Sequence, residues 1–152
     1  MDLSPLPILD AAERYRGTFV DLDAPRMVAA DSLHRARAQL AERLRREGIA
    51  RGQRVVVAVG NGPQFVAALL AVLTAGGSPL LVHAKTPGPE LKRTALRFGA
   101  RAVLTDECPA ADLQAEALAV VAVSAGDWLE LLLGKIDARS EGFCADFVDL
   151  PG

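Results

Sequence analysis

Few residues of this sequence combine a reactive side chain with a spacing that chemistry could use. Gly60-Asn61-Gly62 sits between two strongly apolar stretches, where a strand would hand over to a helix. It is not a Walker-type phosphate loop, because the glycines are too close and no Lys-Ser or Lys-Thr pair follows. It is not a dinucleotide fingerprint either, because Phe65 stands where a third small residue is required. Asn61 could cap the following helix or touch a ligand, and capping is the favoured of the two. His83 follows a second apolar stretch and could serve in acid–base chemistry or contact a ligand. A lone histidine with no cysteine or carboxylate beside it in sequence is more often structural. Lys85 could reach a phosphate or stand solvated in its loop. Lys92, Arg93 and Arg97 share one side of a helical stretch and read as a solvated face, with contact to an anionic ligand as the alternative. His34 reads as exposed and inert. Cys108 has no histidine near it in sequence to activate its thiol, and it lies too far from Cys144 for a local metal motif. The candidate binding residues are therefore Asn61 and His83, with no catalytic and no metal-ligating candidates.

The elements that would position these residues follow from periodicity. Arg54-Val-Val-Val-Ala-Val59 is a β-branched run without alternation, the pattern of a strand buried on both faces of a parallel sheet. Pro63 to Ala75 is apolar nearly all round and reads as a helix packed on more than one side, opened by Pro63 and stopped by Gly76-Gly77. Ser78–Val82, a helix over Pro89–Phe98 and Arg101–Thr105 continue the alternation. Strand, helix, strand, helix, strand gives two right-handed crossovers and a parallel sheet covered by helices on both faces. Upstream, Leu33, Ala36, Leu40, Ala41 and Leu44 form an apolar stripe on a helix that Asp31 would cap and Gly48 would end. Thr18–Leu22 and Arg26–Ala29 flank a turn and read as a β-hairpin. Residues 1–17 hold two prolines and read as an extended arm with at most a turn of helix near Ala11–Tyr15. Downstream, Asp112–Ala117 suggests a short helix, Leu118–Val123 a fourth strand, and Asp127–Leu133 helical turns with Trp128 facing inward. The expected division is an arm and hairpin at 1–30, an α/β subdomain at 31–133, and a linker or tail at 134–152.

Composition excludes several classes. The 152 residues carry a net charge of −2, and their basic residues are scattered. Arg35, Arg37, Arg43, Arg45 and Arg46 alternate with Glu42 and Glu47, a solvated helix face rather than a nucleic-acid patch. No apolar run approaches the roughly 20 residues needed to span a bilayer, and the start does not have the form of a signal peptide. Two cysteines make no disulfide framework, so reduced thiols and a cytoplasmic setting are expected. The alanine and arginine content points to a GC-rich bacterial source.

From Ser32 to Thr105 the sequence resembles the amino-terminal region of the acyl-adenylate-forming superfamily. That superfamily includes acyl-CoA synthetases, adenylation domains of nonribosomal peptide synthetases, and luciferases. Its helix pattern L-x-x-x-A-x-x-L-A-x-x-L-x-x-x-G is matched closely in character by Leu33 to Gly48, and G-V-x-x-G-D-R-V by Gly48-Ile-Ala-Arg-Gly-Gln-Arg-Val55. N-x-x-E-F-V-x-A-x-L-A-x-x-x-A-G-A corresponds to Asn61–Gly77, and an E-L-x-x-x-L helix followed by G-A-R-x-V-L to Pro89–Leu104. No one element is specific, but the ordered set is. Gln53 replaces the usual Asp, Gln64 replaces the usual Glu, and Val82-His-Ala-Lys-Thr-Pro87 departs from the usual P-L-x-P stretch.

The resemblance implies the partial N-terminal subdomain of the adenylate-forming fold. It also implies a parent enzyme that uses ATP and Mg²⁺ to convert a carboxylic acid to an acyl-adenylate and pyrophosphate. The acyl group would then pass to coenzyme A or a carrier-protein thiol. The family's Ser/Thr/Gly-rich phosphate loop would begin soon after residue 150, near Pro151-Gly152, so an artificial boundary, proteolysis or a truncated gene product is expected. No residue matches a family catalytic position. The chain alone is expected to be inactive and to hold no cofactor. The alternatives are a non-enzymatic α/β binding or assembly module, with homodimerisation through exposed apolar surface, and a flavodoxin-like binder of ATP or FMN at the strand ends.

Overall fold

The computed structural model describes residues 7–21, 26–106, 118–140 and 143. The first element is helix α1, Pro7–Arg14. The sequence reading allowed a single turn near Ala11–Tyr15. The helix starts earlier because Pro7 occupies its first turn, where the missing N–H costs nothing. Strands β1 (Thr18–Asp21) and β2 (Arg26–Ala29) form the expected antiparallel hairpin.

Helix α2 spans Ala30–Arg46 and follows β2 without a break. Its cap position is Ala29, not Asp31, and no side chain caps it. The reason is local: the Ala30 N–H already donates to the Gly17 carbonyl at 3.1 Å. Asp31 instead lies in the first turn, where a carboxylate favours the helix dipole. The stripe Leu33, Ala36, Leu40, Ala41 and Leu44 is buried as expected. Arg37 is buried with it at 8% exposure, and its Nε and Nη1 have no hydrogen-bond partner among the described residues. The solvated-face reading therefore fails at Arg37.

Strand β3 (Arg54–Ala58) leads through α3 (Pro63–Thr74) to β4 (Ser78–Leu81), then through α4 (Gly88–Arg97) to β5 (Ala102–Thr105). Strand β6 (Ala119–Ala122) and helix α5 (Ala125–Leu132) follow. The four strands β3 to β6 form a parallel sheet in the order β4-β3-β5-β6. The short helix expected at Asp112–Ala117 falls outside the described residues.

The sheet has two separate cores, set by alternation along β3. Val55, Val57 and Val59 face α2, α3 and α5, together with Ala102, Leu104, Val121 and Val123. Val56 and Ala58 face α4, where Leu91, Ala95 and Val103 complete a smaller cluster. Both faces are thus covered, as the unbroken valine run requires. Strand β4 is an edge among the described strands, with Ser78 and Leu81 exposed and Pro79 paired with Val55. An edge is where a strand tolerates proline.

Helices α2 to α5 end alike. The glycine after the cap donates to the carbonyl three residues back, and the next residue donates five residues back, a Schellman closure. At α3 these bonds are Gly76 N–H to Leu73 O and Gly77 N–H to Val72 O. Gly76 has φ of +90°. Gly76→Ala should destabilise the fold by about 1–2 kcal/mol through left-handed backbone strain, checked by urea denaturation.

The Ser124 hydroxyl caps α5 by accepting from Asp127 N–H at 3.1 Å, and Trp128 points inward as expected. Residues 134–140 then lie along α2. Arg43 Nη1 donates to the Ala138 and Ser140 carbonyls, and Arg46 Nη1 to that of Arg139. Gln39 Oε1 accepts from Ala138 N–H. Ala138 and Phe143 are buried, and the Arg43 guanidinium sits 5.9 Å from the Phe143 ring centre. Bonds from Arg139 hold the surface carboxyl of Asp137 below the ordinary range. No helix among the described residues is long and apolar enough to cross a membrane.

Candidate functional site

The strand order defines where a ligand would sit. From β3 the chain crosses through α3 to β4 on one side, while β5 lies on the other side of β3 and leads on to β6. Neighbouring strands whose connections diverge open a crevice at their carboxyl ends, the usual ligand edge of such sheets. The 59–62 turn after β3 and Asp106 after β5 stand at that crevice, and the 82–86 turn after β4 lies on the other side of β3 along the same edge.

The two candidate residues read from sequence do come together. Asn61 and His83 line one cavity of about 440 Å³, with Val59, Gly60, Phe65, Val82, Ala84 and Lys85 completing its wall. Asn61 is exposed, and it is not the helix cap that was favoured. That position is Gly62, with no capping side chain and φ of +139°. Pro63 is the first helical residue, which places the cap at the glycine and Asn61 one step outside the helix. The Asn61 carbonyl instead accepts from Gln64 Nε2 at 3.2 Å.

His83 is exposed but conformationally held. Its Nδ1 accepts the Lys85 backbone N–H at 3.1 Å, so the neutral ring carries its proton on Nε2. The Thr86 N–H closes the same turn onto the His83 carbonyl at 3.0 Å. Arg93 and Arg97 are exposed on α4, as the solvated-face reading expected, and do not line the cavity.

Asp106 was not singled out from sequence. Its Oδ2 accepts the Gly60 N–H at 2.9 Å and ties the ends of β3 and β5 together. The available signal was its position, directly after the third strand run. His34 is also not the exposed residue expected. It is half-buried, its Nε2 lies 3.2 Å from the Tyr15 carbonyl, and it lines an apolar groove of about 320 Å³ between α1, β1, α2 and α3. Cys108 and Cys144 fall outside the described residues. Among the described residues no group of three or more His, Cys, Asp or Glu could hold a metal ion.

A doubly covered parallel sheet in this order, entered through a hairpin and a long amphipathic helix, is the architecture of the amino-terminal subdomain of adenylate-forming enzymes. Residues 11–142 match the family described as AMP-binding enzyme, and the chain belongs to that family. A naringenin synthase from Pestalotiopsis fici is 33% identical over 79 residues, 52% of this chain and 3% of that protein. The nonribosomal peptide synthetase FmoA3, solved with AMPPNP bound, is 25% identical over 76% of this chain and 12% of that one, with a TM-score of 0.60. An artificially fused adenylation–PCP di-domain from Klebsiella oxytoca, NpsA-ThdA, aligns over 90% of this chain and 25% of that one at 18% identity and a TM-score of 0.63. The NpsA N-terminal subdomain from the same organism aligns over 90% of this chain at 18% identity and a TM-score of 0.61. These two are likenesses of fold. The chain spans 34% of that last solved subdomain.

Proposed function

We propose that this chain is the opening part of an ATP-dependent ligase that activates a carboxylic acid as its acyl-adenylate, releases pyrophosphate and passes the acyl group to a thiol. Coenzyme A and a carrier-protein pantetheine are the two acceptor chemistries in this reading, and the cytoplasm is its setting. The observation that carries it is the family match over residues 11–142.

Within that enzyme the chain acts as scaffold. Residues 31–133 would form the α/β subdomain, with 1–30 as arm and hairpin and 134–152 leading onward. The described residues do not fit Mg²⁺, because they hold no carboxylate or imidazole cluster. Charge neutralisation at the α-phosphate needs metal, lysine and backbone donors together, and no glycine-rich loop with a following Lys-Ser or Lys-Thr occurs in the sequence. The 152-residue chain should therefore be catalytically silent by itself. In ATP–pyrophosphate exchange with a panel of carboxylic acids, purified chain should stay at background. Exchange above background that follows the chain through purification would refute the scaffold role.

A second reading, a non-enzymatic binding or assembly module, is favoured by the apolar groove lined by Ile8, Tyr15, Phe19, Leu33, Val66 and Leu69. Val20 and Met27, cross-strand partners in the hairpin, are also largely exposed. That reading expects a concentration-dependent homodimer in sedimentation and a native product of 16.0 kDa. A native product of several hundred residues supports the ligase.

A further inference from the structure

We propose that the amino-terminal end of the parallel sheet, opposite the candidate crevice, is a docking surface for an acidic polypeptide segment. The inference is independent of the ligase reading, since it concerns the other end of the strands.

The fold gathers arginines that the sequence scatters. Helices α2, α3 and α4 run back against the strands, so all three end where β3, β4 and β5 begin. Arg45 Nη2 donates to the Thr74 carbonyl at the end of α3, at 2.8 Å. Arg51 stands beside the same helix end, because a Cβ added at Gly76 would lie 3.6 Å from its Cα. Arg54 opens β3, and its Nη1 donates to the Phe98 carbonyl at the end of α4, at 2.7 Å. The Arg101 N–H donates to the Arg54 carbonyl, which sets the two residues side by side. Arg97 completes the band, its guanidinium 5.8 Å from the Phe98 ring centre.

The carboxylates near this band are already engaged. Glu47 pairs with Arg43 at 3.0 Å, and Glu42 is shared by Arg46 and Arg139. Arg45, Arg51, Arg54 and Arg97 are exposed and take part in none of the ion pairs seen among the described residues. An arginine at a helix C-terminus ordinarily offsets the helix dipole, and Arg45 and Arg54 do so here. Each helix end carries only about half a negative charge, however, so three ends leave most of the arginine charge unbalanced.

The neighbouring side chains select the partner. Leu96 and Phe98 are exposed beside the arginines, and arginine with aromatic residues is the combination enriched in protein interfaces. The guanidinium fork accepts a carboxylate through two parallel hydrogen bonds. Nucleic acid suits the surface less well. The whole chain carries a net charge of −2, and screening limits a local field to about 8 Å at physiological salt. A short acidic segment meets the band alone, whereas a long polyanion also crosses the acidic remainder. Carboxylates interspersed with apolar side chains use both parts of the surface.

The test is fluorescence anisotropy of the intact 152-residue chain with a labelled peptide of glutamates interspersed with leucines, its glutamine counterpart and oligothymidylate, alongside amide NMR. The glutamate peptide should bind at about 100 μM or tighter in low salt, weaken as salt rises, and shift the amides of Arg51, Arg54 and Phe98 but not those of Asn61 and His83. Arg51→Glu and Arg97→Glu should each weaken binding by about tenfold, and Leu96→Ser by a smaller factor. All three should leave the thermal melt unchanged, because these side chains are exposed. Absence of binding at about 1 mM peptide, equal binding of the glutamine counterpart or of oligothymidylate, shifts confined to Asn61 and His83, or indifference to both charge reversals would overturn the proposal.

Discussion

Replacing Trp128 by alanine should cost this fold about 3–5 kcal/mol, the usual penalty for deleting a buried aromatic ring. Trp128 is 2% exposed and is the largest of the fully buried side chains. It sits on α5 in the core shared with α2 and α3, so its loss opens a void between three helices rather than at a rim. A domain of this kind is stable by only about 5–15 kcal/mol, and the substitution would remove a large share of that. The indole Nε1 has no hydrogen-bond partner among the described residues. Trp128→Phe should therefore lose much less, since it shrinks the ring but also removes a buried unpaired donor costing about 1–3 kcal/mol. Trp128 is the sole tryptophan, so unfolding in urea is best followed by circular dichroism. An alanine variant within about 1 kcal/mol of the parent would mean that α5 is not part of the core.

Arg37→Met should do the reverse and stabilise the chain by about 1–3 kcal/mol, the cost of leaving a buried polar group unpaired. The Arg37 side chain is nearly as buried as the leucines around it, and its Nε and Nη1 find no hydrogen-bond acceptor among the described residues. Methionine retains most of the alkyl volume and carries no charge. Arg37→Ala should gain less, because the stem of an arginine packs as well as solvates. The superfamily pattern that α2 resembles places alanine at this position, so the guanidinium occupies a slot that suits a small residue. A fall in stability for Arg37→Met would show that the guanidinium has an anionic partner.

These two residues also mark what the sequence could and could not disclose. Trp128 was legible because its neighbours Leu129, Leu131 and Leu132 leave a helix nowhere to put an indole except inside. The sheet was legible because Val55 to Val59 offer no polar face, which only a doubly covered strand accepts. Arg37 was not legible. Its charge suggested solvent, whereas its helical position, one residue from Ala36 and three from Leu40, carried it to the edge of the apolar stripe. Helix α1 was hidden by its proline, since Pro7 reads as extended chain unless it is recognised as a first-turn residue. Asn61 was misread by one position, because glycine at a cap leaves no side-chain signature. The meeting of Asn61 with His83 needed the strand order: pairing of β4 beside β3 brings their two exit turns together. The bond between Gly60 and Asp106, 46 positions apart, likewise depends on β5 pairing with the other side of β3.

Pro79 has a consequence for how this sheet meets other polypeptides. In β4, the Ser78 amide donates inward to Gln53, and the Val82 amide just beyond the strand donates to Val57. With a period of two, positions 79 and 81 therefore face outward, and at Pro79 there is no amide hydrogen to offer. Leu81 carries the outward N–H that remains in the strand. A stray chain seeking to zip onto this border finds one of the strand's two outward donors removed, a guard against runaway fibril growth. Among the described residues the other border is β6, which has no proline, so lateral growth by a further strand would be directional, favoured on that side and discouraged beyond β4.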